Sequence, residues 1–537
     1  MTTRKLLAAA SSLLLLTACQ GGDDNPPTPD AGVIETPDSG TPDSGTPDSG
    51  TFNPGPANVQ GGGSWHYIAS DGGIELEPRG FTDSPPAALI PDATGTTYTV
   101  KPATLSPNGD LFAIDNVTAP YLLRFGPTYV WFSGRSPGLF SPDLSYPVLH
   151  RLNGQGVDPG TRLALNATGL AAWQVDLDEV QLSSPFAGLR YFALTCAPGF
   201  TAPVAGATSI SHTFDWETAP NATCGNEALL IEGPQGDAVY VTQLVGRMAS
   251  NSQLLIKEIK RGYSTTSFRM TNAQTTTLNA PLAVLQTTSR GFDMRFGAFR
   301  EAALQAHSNA ALSAITFGLG TVPGLKALGQ VSGYPDLAVV EAKDVNVPDQ
   351  TVSFEYGNPF PSAWGTFMTV RINTLTDYSV PLPGGGSAPA VSVRTAVSST
   401  TELPATQSGA ITLQPVVGPA RSLLVNGQSA TGAPLTGIGT TPLLSWQAPS
   451  VGTADFYRVA IYELRVSATT GRTVSSFVAD FFTEATSLRV PSNVLTSGKH
   501  YYFRVLATRS SRWNPDRPFL TQFGEGTAVA LSSRLSP

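Results

Sequence analysis

Apolar and polar residues follow one another along this chain in three regimes, and each regime predicts a different kind of structure. Residues 6–16 (LLAAASSLLLL) form a greasy run behind Arg4 and Lys5. A run of about a dozen such residues has the length of a secretory signal core and falls short of the ~20 needed to span a bilayer. Residues 20–63 then carry almost nothing that can be buried, and TPDSG recurs with period five from Thr36, Thr41 and Thr46. Proline breaks regular structure, glycine multiplies unfolded states and the acids repel, so this segment is expected to be a disordered, extended tether. As a flexible chain it would span roughly 35–40 Å root-mean-square. From residue 64 onward the pattern changes to short alternating runs such as TYTV (97–100), VYVT (239–242), FMTVRI (367–372) and YYFRV (501–505), punctuated by glycine and proline. Period-two runs between turn residues predict strands. One stretch departs from that period. In FGAFREAALQAHSNAAL (296–312), Phe296, Phe299, Ala303, Ala306 and Ala310 recur at helical spacing, which predicts one helix near 296–314.

The fold class expected is therefore mainly β: a multi-domain β-sandwich architecture with one or few helices, preceded by a disordered linker. Length suggests about three domains after the tether. The boundaries expected are 1–18 for a signal, 19–63 for the tether, 64–135 for a small β module, and 136–383 for a β-rich domain of unnamed type. Residues 384–412 are expected to be linker and edge strands, and 413–537 a terminal module.

Charge narrows the partners. The chain carries −8 in all, of which the tether supplies −7 with no base, while the leader carries +2, leaving −3 on residues 64–537. A near-neutral body without a basic cluster argues against nucleic acid, which needs phosphate-neutralising patches. Three cysteines are present. The first closes the sequence LTAC at 16–19, which resembles the lipobox of bacterial lipoproteins. That resemblance implies cleavage before Cys19, a lipid on Cys19 and a place in the bacterial cell envelope, most simply the outer membrane. An ordinary signal peptide with an incidental Cys19 is the alternative. The TPDSG repeats resemble stalks of lipoproteins in Gram-negative bacteria. Lipid on Cys19 leaves Cys196 and Cys224, and an even pair in an exported chain reads as a disulfide, with two buried thiols as the alternative. Closing that loop would contribute roughly 3–4 kcal/mol in the chain-entropy account.

Two further resemblances concern the folded body. The runs LLSWQAP (443–449), FYRVAI (456–461) and LTSGKHYYFRV (495–505) resemble a fibronectin type III domain from near 413 to the end. That resemblance implies a core Trp446, a tyrosine corner at Tyr501, and inward Tyr457, Val459, Ile461, Phe503 and Val505. Residues 508–523, longer than a simple hairpin loop, are expected to be an exposed elaboration. NGDLFAIDNVTAPYLLRF (108–125) is similar to transthyretin-fold, carboxypeptidase-regulatory-like repeats, with Gly109-Asp110 as the turn and Pro120 in place of the usual glycine before Tyr121.

Candidate chemistry is sparse. Gly134-Arg135-Ser136-Pro137-Gly138 matches G-x-S-x-G, but Pro137 has no N–H to give an oxyanion hole. Gly318 to Gly324 lacks dinucleotide spacing. His66, His150, His212, His307 and His500 are scattered and form no metal-ligand pair. Asp176 and Asp178 would share one side of a strand, a weak calcium candidate against the plainer reading of a solvated face. In SHTFDWE (211–217), Asp215, Trp216 and Glu217 are the candidate ligand contact, with a sugar stacked on Trp216, against the alternative that the aromatics are core. No cofactor is expected. The function expected is non-catalytic display of β modules for adhesion to, or binding of, surface polysaccharide or protein. An extracellular hydrolase with its site in 136–383, or a structural spacer, are the alternatives.

Overall fold

The computed structural model describes residues 59–69, 73–133, 142, 144, 146–148, 150–218, 229–249, 253–323, 335–404, 409–522 and 524–537. Cys19, the TPDSG tether, Ser136 and Cys224 lie outside the described residues. The body is mainly β, as its alternating runs require, and among the described residues its strands form four sandwiches and one further three-stranded sheet of Tyr146–Pro147, Ser64–Ile68 and Ile74–Pro78.

The first pair sets strands Val59–Gly62, Leu111–Ile114 and Thr104–Leu105 against a sheet of Tyr98–Pro102, Ala87–Pro91, Tyr121–Phe125 and Thr128–Phe132. Phe81, Phe112, Leu123 and Val130 fill the space between them. The Gly109-Asp110 turn leads into Leu111–Ile114, and Tyr121 opens the following strand. The second pair faces Ser209–Asp215, Arg162–Thr168 and Thr275–Pro281 onto Leu189–Ala193, Glu179–Ser184, Val239–Met248 and Leu254–Thr265. Its core includes Leu163, Leu165, Val180, Leu182, Phe192 and Val241.

The third pair faces Gln350–Gly357, Thr287–Met294 and Ile411–Leu413 onto Asp336–Ala342, Ala311–Val322, Gly365–Tyr378 and Val391–Glu402. The expected helix begins at Phe296 but ends at Leu304, with Phe296, Phe299, Ala302 and Ala303 buried. Residues 311–322 are a strand instead, because Ile315, Phe317 and Leu319 alternate into the core against Thr316, Gly318 and Gly320. Residues 136–383, expected as one domain, thus contribute to two sandwiches. Val391–Glu402, expected as linker and edge, is an interior strand, paired through twelve positions with Gly365–Tyr378 on one side and with Gly526–Leu531 on the other.

The fourth pair is fibronectin type III-like. Gln428–Ser429, Arg421–Val425, Leu443–Gln447 and Ser487–Arg489 face Gly526–Leu531, His500–Arg509, Phe456–Val466 and Thr473–Thr483. Trp446 is buried edge-on to Tyr457, and the Tyr501 hydroxyl accepts the Thr496 N–H at 3.0 Å, closing the tyrosine corner. Residues 508–523 are not an exposed elaboration. Trp513 stacks on Phe456 at 3.8 Å between ring centres, and Phe519 is buried with Phe482 in the core of the first sandwich. The Arg79 guanidinium lies over Trp65, Phe125 and Phe519 at that seam.

The four sandwiches are fused rather than strung. Leu254–Thr265 pairs with Asp336–Ala342, Val391–Glu402 with Gly526–Leu531, and Thr473–Thr483 runs parallel to Thr128–Phe132, so the larger sheets merge into one of 19 strands. The fibronectin-like unit therefore has both edges of its larger sheet closed by neighbours, which satisfies backbone groups that an isolated module would leave to solvent or to aggregation. The end of the Gly365–Tyr378/Val391–Glu402 hairpin also folds over its outer face. Tyr378 stacks on Tyr502 at 4.6 Å, and Val380 and Val393 pack with Tyr462 and Leu531.

Candidate functional site

The residues singled out from sequence do not assemble into one site. Trp216 is fully buried, with its indole N–H donating to the Leu229 carbonyl at 3.0 Å, so no face is open for a sugar. The correction follows from period two: Phe214 and Trp216 lie on the same side of the chain and enter the same core, leaving Asp215 on the other. Asp215 accepts the Glu217 and Thr218 N–H groups, both at 3.1 Å, and so closes the turn after its strand, while Glu217 is exposed. Asp176 and Asp178 do not share a strand face either. Asp176 sits exposed in a turn at φ 64°, whereas Asp178 is buried and accepts from Gly246 N, Gln174 N and Gln243 Nε2 at 2.9, 3.1 and 3.2 Å. Among the described residues no three His, Cys, Asp or Glu side chains converge as metal ligands. Cys196 is half-buried at the end of the turn Leu194–Cys196, and its expected partner Cys224 lies outside the described residues.

A charged centre that sequence reasoning missed lies where the second and third sandwiches join. Lys257, on Leu254–Thr265, is almost wholly buried and places Nζ 3.0 Å from Glu179 Oε2 and 3.0 Å from Glu341 Oε1. Glu179 Oε1 accepts from Gln181 Nε2 at 3.0 Å and from the Tyr191 hydroxyl at 2.9 Å. Opposite Lys257 on the neighbouring strand stands Gly246, where a Cβ would come within 2.3 Å of the Leu177 carbonyl, so the backbone crosses there at a distance only glycine permits.

Burial opposes charge at both members of the pair but is outweighed. The Glu179 carboxyl is held below its ordinary value, against desolvation, by the Lys257 charge and its three hydrogen bonds; Lys257 is raised, against desolvation, by Glu179 and Glu341. Proton-transfer catalysts need pKa values near the working pH, and these two groups are displaced away from it. Asp336 goes the other way. Burial first, then the Glu179 charge, lift its carboxyl well above the ordinary value, although Gln181 and Lys257 act against the shift. A carboxyl raised on folding favours the folded state below its unfolded pKa near 3.8 and loses that advantage as pH rises through its folded value. Asp336→Asn is accordingly expected to raise the melting temperature at pH 7–8 and leave it nearly unchanged at pH 3.5. A variant that melts lower at both pH values would show that the Asp336 carboxyl stabilises the fold whatever its charge.

A second candidate is only a small depression. On the outer face of the fibronectin-like sheet a cavity of about 30 Å³ is lined by Arg458, Ala460, Tyr462, Arg504, Leu506 and Val529, of which Ala460, Tyr462 and Val529 are buried. Its register explains it. Ala460 is flanked along its own strand by Arg458 and Tyr462 on the same face and stands opposite Arg504 on one neighbour and Asp480 on the other, so one methyl sits among four large side chains. Arg458 Nε donates to Asp480 Oδ2 at 2.8 Å, and Arg504 lies 5.6 Å over the Tyr462 ring.

No family model matches the chain, and no curated protein matches it in sequence. Among solved structures the chain is similar to the FN1-FN3 domains of chicken CNTN1, at 10% identity over 71% of this chain and 99% of that one, with a TM-score of 0.12. It is also similar to a streptococcal ancillary pilin, at 11% identity over 59% and 80%, with a TM-score of 0.11. At such scores neither likeness carries an argument, and the fibronectin-like character of the terminal sandwich rests on its own strands and tyrosine corner.

Proposed function

We propose that this protein is a bacterial cell-envelope lipoprotein, held by lipid on Cys19 at the outer membrane, whose tether displays a non-catalytic β body that binds surface polysaccharide or protein. The observation that carries the reading is the fusion of the sandwiches. Domains joined only by linkers move independently, whereas strand pairing across three boundaries holds these as one unit at the end of a long acidic stalk. The disulfide between Cys196 and Cys224 and a transthyretin-like first module belong to the same proposal.

Cys19→Ala tests the anchor. The full-length variant is expected to move from the membrane pellet to the soluble fraction and to lose incorporation of labelled fatty acid. Retention in the pellet with undiminished labelling would overturn the lipobox assignment. The released variant, immobilised and exposed to separated envelope polysaccharide and protein fractions, is expected to retain one of them saturably and without released products. Product release would reassign the protein as a hydrolase, and no retention of any fraction would leave a spacer.

A further inference from the structure

We propose that a segment of the tether, Asp30 to Thr36, adds as an extra strand to an open edge of the fibronectin-like sheet, so that the stalk folds back on the body and shortens its own reach; this goes beyond the binding role and does not depend on what the body binds. The edge is closed over only part of its length. Thr473–Thr483 pairs with Phe456–Val466 on one side, but on the other side only residues 480–482 find a neighbouring strand, in Thr128–Phe132. The Thr473 N–H donates to the Pro389 carbonyl at 2.9 Å and the Asp480 N–H to the Pro127 carbonyl at 3.2 Å. Between these two stops the backbone groups of Ser475 and Phe477 point outward, because those of Thr473 do and alternate residues of an antiparallel strand face the same way. They have no backbone partner on that side among the described residues.

Composition marks this edge as one that accepts a strand. Open strands elsewhere carry charges that discourage pairing: Glu75 and Glu77 on Ile74–Pro78, Arg190 on Leu189–Ala193, and Glu355 on Gln350–Gly357. Residues 473–479 read TVSSFVA, without a charge or a proline, and Phe477 is 40% exposed. Length then selects the occupant. From Thr473 to Asp480 the slot spans roughly 23 Å. Prolines interrupt residues 20–58 so often that the longest stretch free of them is DAGVIET, Asp30 to Thr36, which matches the slot and holds the tether's one pair of adjacent β-branched residues, Val33 and Ile34. Charge agrees, since Arg465 and Arg472 stand exposed at the Thr473 end and the segment brings Asp30 and Glu35. Strength favours a segment of the same chain. Two outward residues offer at most four backbone hydrogen bonds, each a net factor of roughly 2–12 in binding, against which the ordering of the added strand must be set. An affinity of about millimolar is out of reach for a separate protein at ordinary concentration, whereas a segment joined to Val59 by a short flexible linker is held at about millimolar effective concentration. Docking at Asp30 would cut the reach from Cys19 to the body from about 140 Å at full extension to about 40 Å.

Hydrogen exchange at the Ser475 and Phe477 amides of full-length Cys19→Ala protein tests the docking. Both amides are expected to exchange roughly two- to tenfold more slowly than in the same protein carrying Val33→Asp and Ile34→Asp, the ratio set by effective concentration against affinity. Thermal melts should coincide, since both substitutions lie outside the body. A synthetic peptide of residues 28–38 at about 5 mM should restore the protection in the substituted protein. Equal exchange in the two proteins would overturn the proposal: if both are fast the edge stays open, and if both are slow something other than Val33 and Ile34 covers it. Protection that grows with protein concentration would overturn it in favour of a second copy at the edge. Either failure leaves the lipid anchor and the binding role to their own tests.

Discussion

Replacing Lys257 with methionine is expected to destabilise the protein by about 3–5 kcal/mol, the usual cost of removing one member of a buried ion pair. The stem volume is nearly kept, so the loss comes from Glu179, whose side chain is 3% exposed and would retain only Gln181 and Tyr191 as partners. Glu341, with a quarter of its side chain exposed, can turn to water and contributes less. Urea unfolding at pH 7 measures the change. The double variant Lys257→Met/Glu179→Gln should recover much of it, because replacing both charges leaves nothing unpaired. A single variant within about 0.5 kcal/mol of the parent would mean the centre is hydrated and structurally idle, the size of an ordinary surface change. The pair should also bound the pH range of stability. Glu179, depressed on folding, contributes above its unfolded value near 4.5 and loses that contribution as pH falls through its folded value. Lys257, raised on folding, contributes below 10.5 and loses it as pH climbs through its folded value.

Trp216→Ala is expected to cost about 3–5 kcal/mol as well, through a cavity among Phe214, Leu230 and Ile231 and an unpaired Leu229 carbonyl. The same substitution in a sugar platform would abolish binding and leave stability nearly untouched. Chemical denaturation and glycan retention measured on one preparation separate the two: lower stability with retention intact in the folded fraction supports a core role, and the reverse result would return Trp216 to a surface.

How far the sequence could be read depended on how local each signal was. The fibronectin-like unit was legible because Trp446, Tyr457 and the Leu495 to Tyr501 corner lie within sixty residues and repeat a strict alternation. The start of the helix at Phe296 was legible for the same reason. Its end was not, since alanines at 303, 306 and 310 satisfy a helical period while Ile315, Phe317 and Leu319 beyond them set a strand. In SHTFDWE the alternation was visible, but alternation does not say which side faces water; only the facing sheet decides that. Lys257, Glu179, Asp336 and Glu341 meet across distant segments, and nothing in the spacing of acids and one lysine could announce it. The groove was equally silent, being made by one alanine between larger residues on three strands.

The seam between the first and last sandwiches bears on the order in which the chain can fold. Phe456, Phe482 and Phe519 complete the core built around Phe81, Phe112 and Val130, and Thr128–Phe132 finds its parallel neighbour only in Thr473–Thr483. Contacts separated by some 350 residues close late, because the entropy of the intervening loop must be overcome before they form. The first module thus keeps an open strand edge and an unfinished core until nearly the last strands are made.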